Sequence, residues 1–230
     1  MSLRNTYVMI LLVIHVNSSY SREIPYEKNE FPLGAIIDTV EIKKFTMNLK
    51  CLWGKDTIIV RKYFEPLVAD TNYFRLLHND KYYIPTSDDL REHYDFLELA
   101  AQNCHSYALE VFFSANNLSG VEIFNKHTSV QSESFNKILN TSFALIQEFR
   151  VVNRKRLRPK EDIKNRSVLV FFNHYDMISH SVYYEDGVFI TKNGMAKPST
   201  TRKIDELLKF YWDTKYIQVF AWKEEGNMGD

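Results

Sequence analysis

The chain has 230 residues, of which 45% are hydrophobic and 25% are charged, close to the averages for globular proteins. Its 29 basic and 29 acidic residues balance, and the pI is near 7.1, so the composition gives no support for nucleic-acid binding. The two cysteines, Cys51 and Cys104, are too few for a disulfide framework, and the scattered histidines predict neither a metal site nor a cofactor. The one basic run, residues 154–160, is typical of a solvated loop.

The N-terminus has the layout of a secretory signal. Arg4 precedes an apolar run over residues 7–16, and small polar residues follow at 17–19. The run is too short for a comfortable membrane span, which needs about 20 apolar residues. We predict a signal peptide over residues 1–21, cleaved near Ser19 or Ser21, and a secreted or periplasmic product without a membrane span. The alternatives are an uncleaved signal that leaves the protein membrane-anchored, or a buried strand without an export role.

Residues 22–87 are predicted to form an N-terminal extension or lobe, whose role the sequence leaves open. Prolines and charges in residues 22–34 indicate an extended lead-in. The β-branched segments at residues 36–42 and 56–60 predict two strands.

Two helices are predicted in the middle of the chain. Capping residues at 86–89 predict a helix that starts near Asp88, and apolar residues follow at helical spacing as far as Ala101. A second helical pattern begins at Ser132 and continues through Ile146 and Phe149.

The last third of the chain is predicted to be an antiparallel meander. Residues 167–172 form a buried type of strand, and residues 180–184 and 188–191 form a hairpin around Asp186 and Gly187. A short helix over residues 201–212 and a strand over residues 216–222 follow. Helices first and a meander afterwards predict an α+β fold with the helices packed on an antiparallel sheet.

Cys104 is the first candidate for chemistry. Asn103 is a competent N-cap, which predicts that Cys104 is the first residue of a helix. A helix N-terminus favours the thiolate, and the Cys104 N–H there is placed to bind a developing oxyanion. The alternative is a small core residue, because Ala101, Cys104 and Ala108 also fit one helical face.

His180 is the candidate general base, because a cysteine hydrolase needs an imidazole and a third group that orients it. If Asp186 and Gly187 form a two-residue turn, alternation puts His180, Thr191 and Asn193 on one face of the hairpin, and Lys192 on the other. Asn193 is then opposite His180 and is the first choice for the orienting group, with Thr191 second. The alternative is a strand-edge histidine with a structural role only. His105 and His174 have no hairpin partner and are less suited.

The order of these segments resembles the NlpC-type papain-like cysteine peptidases. A cysteine at a helix start is followed by a histidine that opens a hairpin, and the resemblance covers roughly residues 95–222. The family consists mostly of exported bacterial enzymes that cut peptide bonds in peptidoglycan. It implies a papain-like core with Cys104 as nucleophile and His180 as base. The family's third polar residue falls near Thr191, where a histidine is usual, and its Asp-Cys-Ser-Gly motif is replaced by residues 103–106.

The resemblance implies an NlpC-like hydrolase domain over residues 88–230. Its expected activity is that of an exported cysteine peptidase or amidase acting on a peptide-containing polymer such as peptidoglycan. No cofactor, metal or nucleic-acid partner is expected. The alternative is a secreted binding or interaction domain without catalytic activity, of the same or an unrelated fold.

Overall fold

The computed structural model describes residues 33–43, 46–63, 75, 78–118, 121–151, 162–194 and 196–223. All of them belong to one compact unit, Phe31–Asp230. The predicted signal peptide, most of the lead-in that follows it and the basic run at residues 154–160 lie outside the described residues.

The first sheet has four antiparallel strands in the order β1-β2-β3-β4. They are β1 (Ile36–Lys43), β2 (Thr46–Trp53), β3 (Asp56–Tyr63) and β4 (Thr128–Val130). The predicted strands at residues 36–42 and 56–60 are confirmed as β1 and β3, whereas β2 was not predicted. Because β3 pairs with β4, this sheet joins the start of the chain to its middle.

The second sheet has six strands, antiparallel throughout, in the order β5-β10-β6-β7-β8-β9. They are β5 (Phe143–Arg150), β6 (Ser167–Asn173), β7 (Ile178–Glu185), β8 (Val188–Lys192), β9 (Pro198–Thr201) and β10 (Thr214–Trp222). Every residue of β6 is buried, as expected for a strand covered on both faces.

The described helices are α1 (Ser87–Ala101), α2 (Cys104–Ala115), α3 (Ser132–Ser142) and α4 (Ile204–Phe210). Thr86 caps α1 in a capping box with Asp89. Gln102 and Asn103 then adopt extended backbone conformations and separate α1 from α2. Ala101 and Cys104 therefore lie on different helices, which removes the alternative of one continuous helical face through both.

The predicted continuation of α3 through Ile146 and Phe149 is wrong. The helix ends at Ser142, and Phe143 is already extended and begins β5. β5 pairs with β10 along its whole length, from Trp222↔Phe143 to Tyr216↔Arg150. The backbone hydrogen bonds of that distant strand outweigh the helical spacing of the apolar residues.

The predicted hairpin is confirmed. β7 and β8 pair as Glu185↔Val188, Tyr184↔Phe189 and Tyr183↔Ile190. Asp186 and Gly187 both have positive φ, at 48° and 77°, as a two-residue turn between twisted strands requires. No β7–β8 partners follow beyond Tyr183↔Ile190 among these fully described strands, so the two diverge towards His180 and Lys192.

Two apolar clusters lie in the core. The larger combines residues of the first sheet, α2, α3 and one face of the second sheet, with Trp53, Phe112, Phe113 and Tyr183 among its members. The smaller packs α4 against the other face of the second sheet. The fold is thus mixed α and β, with two antiparallel sheets and few helices.

The first sheet, in the described part of residues 22–87, packs against α3. Trp53 belongs to the larger cluster, and its Nε1 donates to Ser142 Oγ at 2.9 Å. Ile59 N likewise donates to Ser134 Oγ at 2.9 Å. Both bonds join the first sheet to α3. The strands of a small sheet need a second layer against which to bury their apolar face, and α3 belongs to that layer.

Within the described ranges, no helix combines the length and apolar character that crossing a membrane requires.

Candidate active site

Cys104 is the first residue of α2. Asn103 caps the helix, with its Oδ1 accepting from Ser106 N at 3.0 Å. The other end of the same amide fixes the cap, since Asn103 Nδ2 donates to Val130 O at 2.7 Å. One side chain thus joins the start of α2 to β4 and sets the position of the thiol.

The Cys104 side chain is partly buried, and burial raises the pKa of its thiol. Hydrogen bonds from Ser181 and from the backbone N–H groups of His105 and Cys104 oppose this effect and lower the pKa. The burial effect is the larger, so the thiol form is favoured at neutral pH. The sulfur lies at the backbone of β7, beside the residue that carries the candidate imidazole.

His105 is the imidazole in contact with the thiol, with Nδ1 at 3.6 Å from Cys104 Sγ. The same nitrogen is 2.9 Å from Ser181 Oγ, Nε2 is 3.3 Å from Ser132 Oγ, and the ring stacks on Phe135. Burial lowers the pKa of His105 to about 4. Held between hydroxyls and a phenyl ring, His105 forms part of the packing beneath Cys104.

His180 is fully buried, and its Nε2 is 2.7 Å from Thr191 Oγ1. Its ring stacks on Tyr211 with centroids 3.9 Å apart. Nδ1 has no hydrogen-bond partner, so no hydrogen bond joins it to Cys104. Burial lowers the pKa of His180 to about 3, with a smaller contribution from His105, and keeps the ring neutral at pH 7.

Tyr211 is the aromatic partner of the His180 imidazole. It follows α4, covers the His180 ring, and its hydroxyl donates to Asn193 Oδ1 at 3.1 Å. Burial raises the pKa of Tyr211 above its ordinary value, and the charge of an ionised Cys104 raises it further. Because His180 and Ser181 are successive residues of β7, their side chains point to opposite faces of the second sheet, and it is Ser181 that is hydrogen-bonded to Cys104.

Thr191, rather than Asn193, is the direct partner of the His180 ring. Asn193 lies one step further, with its Oδ1 accepting from Thr191 Oγ1 at 3.5 Å as well as from Tyr211. Because an amide oxygen only accepts, a Thr191 hydroxyl that donates to Asn193 offers a lone pair to His180. His180 Nε2 is then the donor and Nδ1 is unprotonated, which is the tautomer a general base needs at Nδ1.

Lys192 was placed by the sequence on the opposite face of β8 from Thr191, without a role. Its side chain is 2% exposed, and its ammonium group donates to Leu99 O, to Gln102 O at 2.5 Å and to Gly194 O at 2.7 Å. A lysine on a strand face that a helix covers is unusual, and the sequence could have shown it. Its carbonyl partners at the end of α1 could not be predicted, because they precede Lys192 by some ninety residues.

The described residues contain no group of three or more His, Cys, Asp or Glu side chains arranged to hold a metal ion. Cys51, the other thiol, is fully buried in β2, and burial raises its pKa to about 11. Cys104 is therefore the more accessible of the two thiols.

Comparisons of the chain with protein-family models, with curated proteins and with solved structures find no match.

Proposed function

We propose that the protein is an exported cysteine hydrolase that cleaves an amide bond through Cys104 and His180. The observation that carries the proposal is the position of Cys104, a partly buried residue that begins α2 and whose sulfur accepts a hydrogen bond from the N–H of Ser181, next to His180. Its position after the Asn103 cap and before a histidine-bearing hairpin supports a papain-like arrangement of NlpC type.

In the proposed reaction, His180 Nδ1 takes the Cys104 proton as the sulfur attacks the carbonyl carbon. The N–H groups at the start of α2 stabilise the oxyanion. The imidazolium returns the proton to the leaving amine, and water then hydrolyses the thioester with His180 again as base. Thr191 holds the ring through Nε2 in both steps.

The resting pair is a neutral thiol and a neutral imidazole. Burial disfavours the charged form of both groups, raising the pKa of Cys104 and lowering that of His180. Since Nδ1 has no partner before substrate binds, the ring and the sulfur must approach further in the complex. Catalytic hydrogen bonds often tighten in this way when substrate is bound.

Exposed large apolar side chains that are close in sequence to Tyr211 and His180 suit a polymeric substrate. Phe210 and Trp212 flank Tyr211 and are 70% and 62% exposed, and Met177, just before β7, is 58% exposed. Such side chains can hold an extended peptide while its scissile bond lies at Cys104. A cell-wall peptide is the substrate class that the NlpC resemblance suggests.

The direct test is incubation with purified peptidoglycan, followed by mass analysis of the released fragments. We expect peptide fragments from the wild type and none from Cys104→Ala or His180→Ala. The double variant should be no worse than either single one, because residues that act as a unit are not additive. A Cys104→Ala variant that releases the same fragments as the wild type would refute the proposal.

A second candidate is a secreted binding domain in which Cys104 is not a nucleophile. The raised pKa of its thiol and the unpartnered Nδ1 of His180 favour this candidate. This candidate predicts that insoluble peptidoglycan pulls down the wild type and Cys104→Ala equally, and that neither protein releases fragments.

Export is the part of the proposal that depends on the first 21 residues. The charge at Arg4 and the apolar run after it motivate it. N-terminal sequencing of protein recovered from the medium or periplasm should find a start near Tyr20 or Arg22, whereas an intact Met1 on cytoplasmic protein would contradict it.

A further inference from the structure

Lys192 is a buried cation to which the proposed reaction assigns no role. An ammonium group has three protons to donate, and this one meets three backbone carbonyl oxygens, those of Leu99, Gln102 and Gly194. A lysine that is 2% exposed is uncommon unless its charge is compensated. Here the compensation comes from carbonyl dipoles instead of a carboxylate.

Two of the three carbonyls belong to the C-terminal end of α1 and the link that follows it. The last carbonyls of a helix lack partners within the helix and carry the negative end of its dipole. The last turn of α1 has no basic residue of its own, so Lys192 supplies the cation from β8. Gln102, which it holds, is two residues before Cys104.

We propose that Lys192 is a positioning residue of the Cys104 site: it fastens the chain before Cys104 to the end of β8, and its positive charge stabilises the thiolate form. The geometry gives the first part directly, because the segment that it binds leads into the Asn103 cap, and the second part follows from the hydrogen bond of the ammonium group to Gln102 O, two residues before Cys104. The direction in which an ionised Cys104 shifts the pKa of Lys192, upwards against the larger lowering by burial, supports the second part.

Other titratable groups also surround the thiol and need separate control. The groups to consider are His105, whose Nδ1 is 3.6 Å from Cys104 Sγ, His180 next to Ser181 on β7, Tyr211 against His180, and Glu110, which accepts from Gln102 Nε2. Both histidines are neutral above about pH 5, because burial lowers their pKa values to about 4 and about 3. The two histidines are therefore uncharged at alkaline pH, whereas Lys192 can carry a positive charge there.

The first test measures how fast iodoacetamide alkylates Cys104 across pH 6 to 10, with the modified peptide identified by mass spectrometry. It requires no substrate, so its result is independent of the proposed hydrolase activity. Lys192→Met should slow alkylation at pH 8 by roughly three- to tenfold and move the midpoint of the profile to higher pH, because a nearby opposite charge favours the thiolate. Lys215→Met, which removes an exposed lysine paired with Asp176, should leave the profile unchanged. A folded Lys192→Met protein with the wild-type profile would overturn the inference.

The second test keeps Lys192 in place and does not depend on the folding of a variant at that position. The Lys192 Cε resonance is followed by NMR through a pH titration of the wild type and of Cys104→Ala. Coupling between two sites is reciprocal, so Lys192 should lose its proton at lower pH when Cys104 cannot ionise. A lysine with only a structural role would titrate identically in both proteins, and that result would also overturn the inference.

Discussion

At the scale of single residues, the position of one proton determines whether His180 can accept a proton at Nδ1. A neutral imidazole carries its proton on one nitrogen, and the partner of that nitrogen fixes which one. Here Asn193 Oδ1 accepts from the hydroxyls of Thr191 and Tyr211, which leaves Thr191 Oγ1 as an acceptor for His180 Nε2. Asn193 thus orients the ring through Thr191, so both orienting residues expected from the sequence lie on one hydrogen-bonded chain.

Replacing Thr191 by valine should lower peptide turnover by roughly ten- to hundredfold. Valine nearly keeps the shape of threonine, but the buried Nε2–H of His180 loses its acceptor, at a cost of about 1 to 3 kcal/mol. Each 1.4 kcal/mol in the activation free energy changes the rate about tenfold. The ¹⁵N shifts of the His180 ring, read by NMR, should move towards a mixture of tautomers. Asn193→Ala should have a smaller effect on both readouts, because it acts one bond further away. Unchanged ring shifts in Thr191→Val would contradict the tautomer argument.

At the scale of elements, the sequence correctly predicted the features that turn and capping residues determine. The hairpin at Asp186 and Gly187 and the start of α1 near Asp88 follow from turn and capping residues, and both are present. The helix predicted through Phe149 failed because β5 is held by β10, seventy residues later in the chain. β2 was not predicted for a similar reason, because its register depends on pairing with two neighbouring strands.

The same limit applies to the candidate site. Cys104 and His180 each stand in a recognisable local pattern, a capped helix start and a hairpin strand. The contacts that bring Tyr211 and Lys192 to them are made across the fold, between α4 and β7 and between β8 and α1. No spacing along the chain encodes those contacts, so the sequence predicted the candidate reactive groups but not the residues that surround them.

Removing the cap of α2 should destabilise the protein and disturb the thiol together. Asn103→Ala removes the acceptor for Ser106 N and the donor to Val130 O, with an expected loss of about 1 to 2 kcal/mol in the free energy of unfolding. Chemical denaturation measures the loss, and the alkylation profile of Cys104 should change with it.

The matched control for Asn103 is the cap of α1. Thr86 accepts from Asp89 N at 3.2 Å, on an exposed helix start away from the thiol. Thr86→Ala should cost about 1 kcal/mol and leave Cys104 alkylation as in the wild type. If the two variants change alkylation equally, the effect of Asn103 is global loosening and not local positioning.

At the scale of the whole molecule, both sheets contribute to one apolar core with polar groups enclosed in it. The larger cluster joins Trp53 of the first sheet to Phe112 of α2 and Tyr183 of the second sheet. His105, at 5% exposure, is buried against Phe135 of this cluster, and His180, at 0% exposure, is buried against Phe171 of the smaller one. Two neutral imidazoles in such a core link the stability of the entire fold to pH.

We therefore predict that the free energy of unfolding falls as the pH is lowered from about 6.5 to about 4. Burial lowers the pKa of His105 to about 4 and that of His180 to about 3, whereas both rings regain an ordinary pKa near 6.5 when the chain unfolds. Between these values the unfolded chain binds protons that the folded protein does not, so each ring lowers stability by about 1.4 kcal/mol per pH unit. Asp89, whose pKa is lowered to about 2 by hydrogen bonds from Tyr83 and Thr86, loses its contribution only at lower pH.

Urea denaturation at pH 7, 6 and 5 measures this dependence, and the histidine variants assign it. His105→Gln removes one of the two buried rings and should reduce the slope by about 1.4 kcal/mol per pH unit, whatever it does to stability at pH 7. His174→Gln is the matched control, because it makes the same replacement at an exposed position in the turn between β6 and β7. A wild-type stability that stays constant between pH 7 and pH 5 would mean that the two rings are not held neutral in the folded protein, and the assignment of His180 as a neutral base at rest would have to be abandoned.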